Sequence, residues 1–537
     1  MRSARLVAAA LALLVPPALG GCGARTSLQQ GDGHAGRGGA AGRGGTAGRA
    51  AAAFCEVAED CEGAGDRCAP VACRDGRCVA SPPRVCSDGD PCTADKCDPQ
   101  TGACLFPPAT LDLDNDGFRG PLPGHRPGDA GSCGDDCDDT SAAARPGGVE
   151  LCDGVDNDCN GIIDDDASFV PLEGSILVSD AAAPLAGAGG LASSASGFLA
   201  SVNTQSSDDS KIYARALGVD GTPQGALVLV NGTTGDASGG PLVYTGDRFG
   251  LVWEDRRSGD YEIYFATLGP DGKKLREDQR LSASQGFSVN PTLGWNGSTF
   301  AAVWQDERSG SFVLLGQKLD LDGKKIGEEV EIVESFGDDV EAPSLAVATA
   351  GTALAYRVGD ADDSRVEVQI LGDDLRKSGP PVVLAKKGRF ESPVVVYNAP
   401  NFLVTWGERE PFRLYGAVVS PGGAVLVQPR LISPAGSQNR GAVPIPLGDR
   451  AVIIYGRVGG SGYDIYSLTL DQQLLPTAPP AVVSAGLGDE LPRAVALGAK
   501  GSIGVLYSGK IGDGKGGVKG AAFFSRLECR GGLVPPP

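Results

Sequence analysis

Two histidines, one methionine and a 6% share of aromatic residues are the scarcest features of this 537-residue sequence. Both histidines, His34 and His125, lie ahead of residue 168. Ser-His-Asp and Cys-His catalysis and histidine-ligated metals are therefore excluded from everything downstream. Basic residues are also short: 47 Lys+Arg stand against 67 Asp+Glu, a formal net charge of -20. That balance lacks the positive footprint that phosphate backbones require, so no nucleic acid partner is expected. What is abundant is 81 Gly and 37 Pro, with 41% hydrophobic residues. This composition gives enough apolar side chains for a core but favours turns and short strands over long helices, so the expected fold class is all-β.

The first residues read as a sorting signal. Arg2 and Arg5 precede an apolar run from Leu6 to Val15 that is too short to span a bilayer. It ends in Leu19-Gly20-Gly21-Cys22, which resembles the bacterial lipobox. The resemblance implies a signal peptide over 1–21, lipidation at Cys22 and anchoring at the bacterial cell envelope, at the outer membrane, through acyl chains alone. Residues 22–53 are rich in Gly and Ala and almost free of large apolar side chains, a composition expected of a flexible tether.

Of the fourteen cysteines after Cys22, thirteen lie between Cys55 and Cys159. An exported chain meets an oxidising compartment, so these thiols are expected to pair with one another rather than to bind zinc. Residues 54–108 form a cysteine-rich module, within which Cys86, Cys92, Cys97 and Cys104 resemble the slime-mold type cysteine-rich extracellular repeat. Thirteen is odd, and Cys529 is the one cysteine beyond Cys159. Parity leaves a stalk cysteine for it.

Residues 109–166 hold fourteen Asp and Glu150 against three arginines, a net charge of -12 that would expand the segment unless something neutralised it. Asp112, Asp114 and Asp116 place oxygen ligands at alternate positions before Gly117, and Asp156, Asp158, Asn160 and Asp164 repeat the pattern around Gly161. Such spacing is that of a calcium loop, although Ala167 stands where an EF-hand has its glutamate. All-oxygen donors suit calcium or magnesium, and calcium is the cofactor expected here; an acidic, solvated linker that holds no ion is the competing reading. Asp112 to Gly117, Asp136-Cys137-Asp138-Asp139-Thr140, Pro146-Gly147 and the run from Glu150 to Asp165 together resemble the Asp/Cys-rich metal-binding motif of MopE-like bacterial surface proteins. The resemblance implies a small extracellular metal-binding module.

From residue 168 the sequence repeats with a period near fifty-one. The position of Trp253 recurs as Val202, Trp304, Tyr356, Trp406, Tyr455 and Tyr507, each preceded upstream by a proline, from Pro184 through Pro241, Pro291, Pro343, Pro393 and Pro444 to Pro492. Asp-Gly or Gly-Gly pairs such as Asp271-Gly272 and Asp322-Gly323 mark hairpin turns downstream. Four short apolar strands per repeat make a propeller blade, and seven repeats predict a seven-bladed β-propeller over 167–528, with 529–537 as a tail. The outer-strand motif occurs first at Ile176-Leu177-Val178, before any complete blade, and has no equivalent after Phe524. The strand around Leu177 is therefore expected to close the ring against the last strands, leaving no open edge.

Asp255, Asp306 and Glu408 follow the marker aromatic by two residues, beside Arg256, Arg308 and Arg409. Repeated at a repeated turn, they read as turn-stabilising pairs, and the aromatics as blade core. The expectation is a non-enzymatic surface protein, with no catalytic residue, presenting its propeller to a protein or glycan ligand. The alternative is a cell-surface polysaccharide hydrolase or lyase using propeller carboxylates.

Overall fold

The computed structural model describes residues 54–530 apart from 58–60, 62–66, 70, 152–154, 162–167, 173, 181–185, 205–208, 233–234, 309, 336, 361, 461, 499–500 and 513–516. The signal peptide, Cys22, the tether, Asp164, Pro184 and most of the tail lie outside the described residues. Among those described, every regular element named is a strand, and no helix is long and apolar enough to cross a membrane.

The chain divides into two units, one running to Cys86 together with Cys97–Leu105, the other formed by Ser87–Lys96 and everything from Phe106 onward. The first is a small stapled unit. Its hairpin pairs Val71–Arg74 with Arg77–Ala80, and Cys55–Cys73, Cys61–Cys78, Cys68–Cys97 and Cys86–Cys104 are bridged. A segment with so few core residues depends on these crosslinks. In the second unit Cys92–Cys133 and Cys137–Cys159 are bridged, and Cys529 is also disulfide-bonded, as parity requires.

The remainder of the second unit is the seven-bladed propeller. Blade 2 shows the plan: Ala237–Tyr244, Phe249–Asp255, Glu262–Leu268 and Gln279–Arg280 pair in sequence order as an antiparallel meander. The innermost strands of blades 1 and 3 to 7 begin at Ala186, Ser288, Val340, Val394, Asn439 and Leu491. Blade 7 takes its outer edge from the N-terminal side. Ser168–Pro171 pairs with the far end of Val518–Arg530, and Leu177 and Ile176 sit opposite Phe523 and Phe524. The closure expected at Leu177 is thus present.

The periodic markers acquire physical meaning in this frame. Trp253, Trp304, Tyr356, Trp406, Tyr455, Tyr507 and Val202 are all buried at 2% exposure or less, which makes them blade core. Pro241, Pro291, Pro343 and Pro492 fall at register shifts in the innermost strands, where a residue without an N–H is tolerated. At four blade boundaries the residue after the marker position accepts a backbone N–H from the inner strand of the next blade, close to such a shift. Asn203 accepts from Gly239 N–H at 3.2 Å, Glu254 from Asn290 at 2.7 Å, Gln305 from Ala342 at 2.9 Å, and Ser508 from Ala188 at 3.0 Å. These contacts clip blade to blade.

Candidate metal centre

In the acidic module, two loops forty-four residues apart fold alike. In the first, Asp112 accepts the backbone N–H groups of Asp116 and Gly117, at 3.2 and 3.1 Å, and Asp114 accepts that of Asp116 at 3.1 Å. In the second, Asp156 accepts from Asn160 and Gly161 at 3.1 and 2.8 Å, and Asp158 from Asn160 at 3.0 Å. Both turns pass through the left-handed region at the same two positions, Asn115 and Gly117 in one, Cys159 and Gly161 in the other. Asn and Gly enter that region at little cost, which is why the spacing Asp-x-Asp-x-Asp/Asn-Gly folds into a loop with its carboxylates turned inward.

The predicted ligands are therefore brought together as two sets. Oxygens of Asp112, Asp114 and Asp116 lie within 4.8 Å of one another, as do those of Glu150, Asp156 and Asp158. Glu150, 4% exposed, was not foreseen as a ligand; its Oε1 accepts the Asp158 N–H at 2.8 Å. Asn160 instead turns its amide nitrogen to Asp158 at 3.0 Å. Asp136 and Asp139 lie outside the loop spacing. Asp139 accepts the Leu113 N–H at 3.2 Å, and Asp136 is fully buried. Burial, then the charges of its neighbours, hold the carboxyls of Asp114 and Asp136 above the ordinary range. Two further groupings, Cys55 with Cys61 and Cys78, and Asp136 with Cys137 and Cys159, offer no thiolate because these cysteines are bridged.

In the propeller, Asp255 and Asp306 are fully buried turn anchors. Asp306 takes a two-point pair from Arg308 at 2.8 and 3.1 Å, and the Trp304 indole reaches it at 3.4 Å. Asp255 is paired by Arg257, not by its neighbour Arg256, because alternate residues return to one side of an extended chain. Glu408 accepts instead from Tyr415 at 3.0 Å. These three carboxylates are committed to architecture.

A different pair stands beside them in blade 2. Ser238 lies opposite Glu254 in the ladder and Arg256 N–H bonds to Asp236, so Asp236 and Glu254 are diagonal neighbours on one sheet face. Burial raises the Glu254 carboxyl, and Asp236 adds to this. Burial acts on Asp236 in the same sense, but the Tyr261 hydroxyl at 2.5 Å and Ser210 outweigh it and hold the carboxyl below its usual value. Phe287, 41% exposed, has its ring 6.1 Å from that of Tyr261.

Residues 136–165 match the family model Cu-binding_MopE, described as a metal-binding motif. The match takes in Asp136, Asp139 and the second loop but not Asp112 to Gly117. No curated protein matches the sequence. Solved structures similar to the chain include the phage phi92 endosialidase, 10% identical with a TM-score of 0.39, covering 68% of this chain and 69% of that one. A Mycobacterium tuberculosis puromycin-hydrolyzing peptidase is 14% identical with a TM-score of 0.42, covering 66% and 55%. Trypanosoma rangeli sialidase is 11% identical at 0.35, covering 58% and 56%.

These neighbours correct the expectation of a chain that is not an enzyme, since each is named as a hydrolytic enzyme or a sialidase. The physical reason lies in the chemistry: glycosidases work with carboxyl pairs, so an absence of histidine does not exclude catalysis. At these identities and scores the likeness assigns no substrate or reaction to this chain.

Proposed function

We propose that this is an exported, lipid-anchored envelope protein in which calcium folds the acidic module of a disulfide-rich stalk, and whose propeller engages carbohydrate polymer. The observation that carries the reading is the repeated loop geometry. Two sets of carboxylates are preorganised by the same backbone hydrogen bonds, within a segment of net charge -12. Both sets are all-oxygen, the chemistry of hard cations, and neither offers the thiolate or imidazole that softer metals select. Extracellular modules of this kind typically bind calcium at about 0.1–1 mM. Calorimetry and limited proteolysis of the full chain test it. Millimolar calcium is expected to release heat and to protect 109–166, and chelator is expected to open that segment while the propeller stays intact. Absence of heat together with an identical cleavage pattern in chelator overturns it. Membrane attachment is tested separately, by release of the Cys22→Ser variant from the membrane fraction.

For the propeller, one observation favours a second reading, hydrolysis of a cell-surface polysaccharide. The blade-to-blade contact made by Glu254 needs only an acceptor, and Gln305 makes the same contact one blade on with an amide. A carboxyl at 254 is thus more than the contact requires. Burial raises the Glu254 carboxyl while Tyr261 and Ser210 lower that of Asp236, and neighbouring carboxyls shifted in opposite directions are what a general acid and its partner base require. Phe287 and Tyr261 add an aromatic surface of the type that sugar rings stack on. Glu254→Gln keeps the contact and removes the titratable group. Depolymerisation across a panel of bacterial polysaccharides is expected to fall at least about 100-fold with an unchanged melting temperature. A wild-type protein that leaves every member of the panel intact overturns the hydrolytic reading.

A further inference from the structure

The loop Asp112–Gly117 lies outside the matched motif, yet its carboxylates are not a self-contained set. Arg119 and Gly120 cross the segment Gly134–Asp139 at a separation that leaves no room for side chains. A Cβ on Gly134 would lie 2.2 Å from the carbonyl oxygens of Arg119 and Gly120, and one on Gly120 would lie 2.8 Å from the Cβ of Asp139. The Asp136 N–H bonds to Arg119 O at 3.1 Å and fixes the crossing. Asp136 is thereby carried, fully buried, to the first loop. Its Oδ1 accepts the Asp138 N–H at 2.8 Å, and its Oδ2 has no hydrogen-bond partner. Asp139, three residues on, accepts the Leu113 N–H of the first loop at 3.2 Å. Asp114 Oδ2 and Asp116 Oδ2 are likewise buried without a partner. Three carboxylate oxygens withdrawn from water with no donor are costly as they stand, and a cation is the group that satisfies all of them.

We propose that Asp112, Asp114 and Asp116 form a second divalent-cation site whose shell is completed by Asp136 and Asp139 from the matched motif. The inference rests on the calcium reading above and extends it, since it makes the motif a donor to a site beyond its own bounds. It also couples the two sites. Cys137, between the two donor residues of the motif, is bridged to Cys159, which occupies the left-handed position of the second loop. That bridge is a covalent connection between the two loops.

Equilibrium dialysis of the full chain against calcium tests this. Wild type is expected to bind two ions in the module. Asp136→Asn, which removes a ligand charge but keeps the volume, is expected to lose one ion or weaken it at least tenfold. Asp158→Asn should affect the other ion first. Asp139→Asn, on a partly exposed side chain, gives the same reading if Asp136→Asn fails to fold, and Asp135→Asn, exposed and adjacent, controls for charge alone. A wild type that binds no calcium defeats the calcium reading as a whole. A wild type that binds calcium, with Asp136→Asn and Asp139→Asn both matching Asp135→Asn in stoichiometry and affinity, overturns the second site alone.

Discussion

Replacing Phe169 by alanine tests whether the ring depends on its N-terminal strand. Phe169 is 1% exposed and packs among Ile445, Val452 and Ile465 of blade 6 and Ile503, Tyr507 and Leu527 of blade 7. Its carbonyl accepts the Ser467 hydroxyl at 2.7 Å, and it pairs with Cys529 in the ladder. Truncating a buried Phe costs about 3–5 kcal/mol. For a propeller of roughly 360 residues, an unfolding entropy of about 2.1 cal/mol/K per residue converts 4 kcal/mol into a fall in melting temperature of about 5 °C. Phe402 in blade 5, 0% exposed, supplies the control, because its truncation leaves a similar cavity without touching the closure. Calorimetry is expected to show comparable losses for the two variants. Hydrogen exchange separates them: Phe169→Ala should release protection along Val518–Arg530, whose edge the strand covers, whereas Phe402→Ala should not. Equal protection of Val518–Arg530 in both variants, or a loss under about 1 kcal/mol for Phe169→Ala, would refute the reasoning.

Two further outcomes follow from the pairs described above. Arg308→Ala removes the partner of buried Asp306; because Arg308 is itself 37% exposed, the loss is set at about 1–3 kcal/mol rather than the full cost of breaking a buried pair. Burial works to raise the Asp306 carboxyl, but Arg308 and Ser288 hold it below its ordinary value. The stabilisation is therefore present above the unfolded value of about 3.9 and is lost as pH falls through the lower native one. Denaturant unfolding should show the wild-type advantage intact at pH 7 and shrinking below pH 4; an advantage independent of pH would count against the pair. Cys152 lies outside the described residues; because the six bridges among the described residues use the other twelve stalk cysteines, peptide mapping without reduction is expected to join Cys529 to it. A free Cys152 would break the parity argument.

The architecture was legible because its signals are periodic and apolar. A buried aromatic near every fifty-one residues in six of the seven blades and a proline at four of the inner-strand bulges mark equivalent places, and Ile176-Leu177 reads as an outer strand wherever it stands in the chain. Partner choice was less legible. Asp255 was assigned to Arg256 by adjacency, whereas the end of an extended strand returns Arg257, two residues on, to the side of the carboxylate. The clustering of Asp112, Asp114 and Asp116 was readable because a single turn creates it. Asp136, Asp139 and Glu150 were not, since each reaches its loop through the chain crossing or returning on itself. The remaining signal was steric, the glycines at 120 and 134 that allow the crossing.

The position after each marker aromatic shows how a repeat can hold architecture constant and still free one residue for chemistry. Its structural task is to accept a backbone N–H from the next blade, and Asn203, Gln305 and Ser508 do so with neutral side chains. Blade 4 reverses the polarity, with Arg357 donating to the Phe390 carbonyl at 2.9 Å. Blade 5 has Gly407 there, and Glu391 occupies the space, approaching the Gly441 N–H at 3.4 Å. The ring therefore tolerates an amide, a hydroxyl, a guanidinium or no side chain at all. Selection for closure alone gives no reason to place a half-buried carboxyl at 254 against its desolvation cost, particularly beside a second carboxylate. Blade 5 holds its carboxylate, Glu391, with Arg440 at 2.7 Å, whereas the carboxyl at 254 is set beside Asp236, and replacing Glu254 with the amide already used by blade 3 separates the role of that carboxyl from the fold.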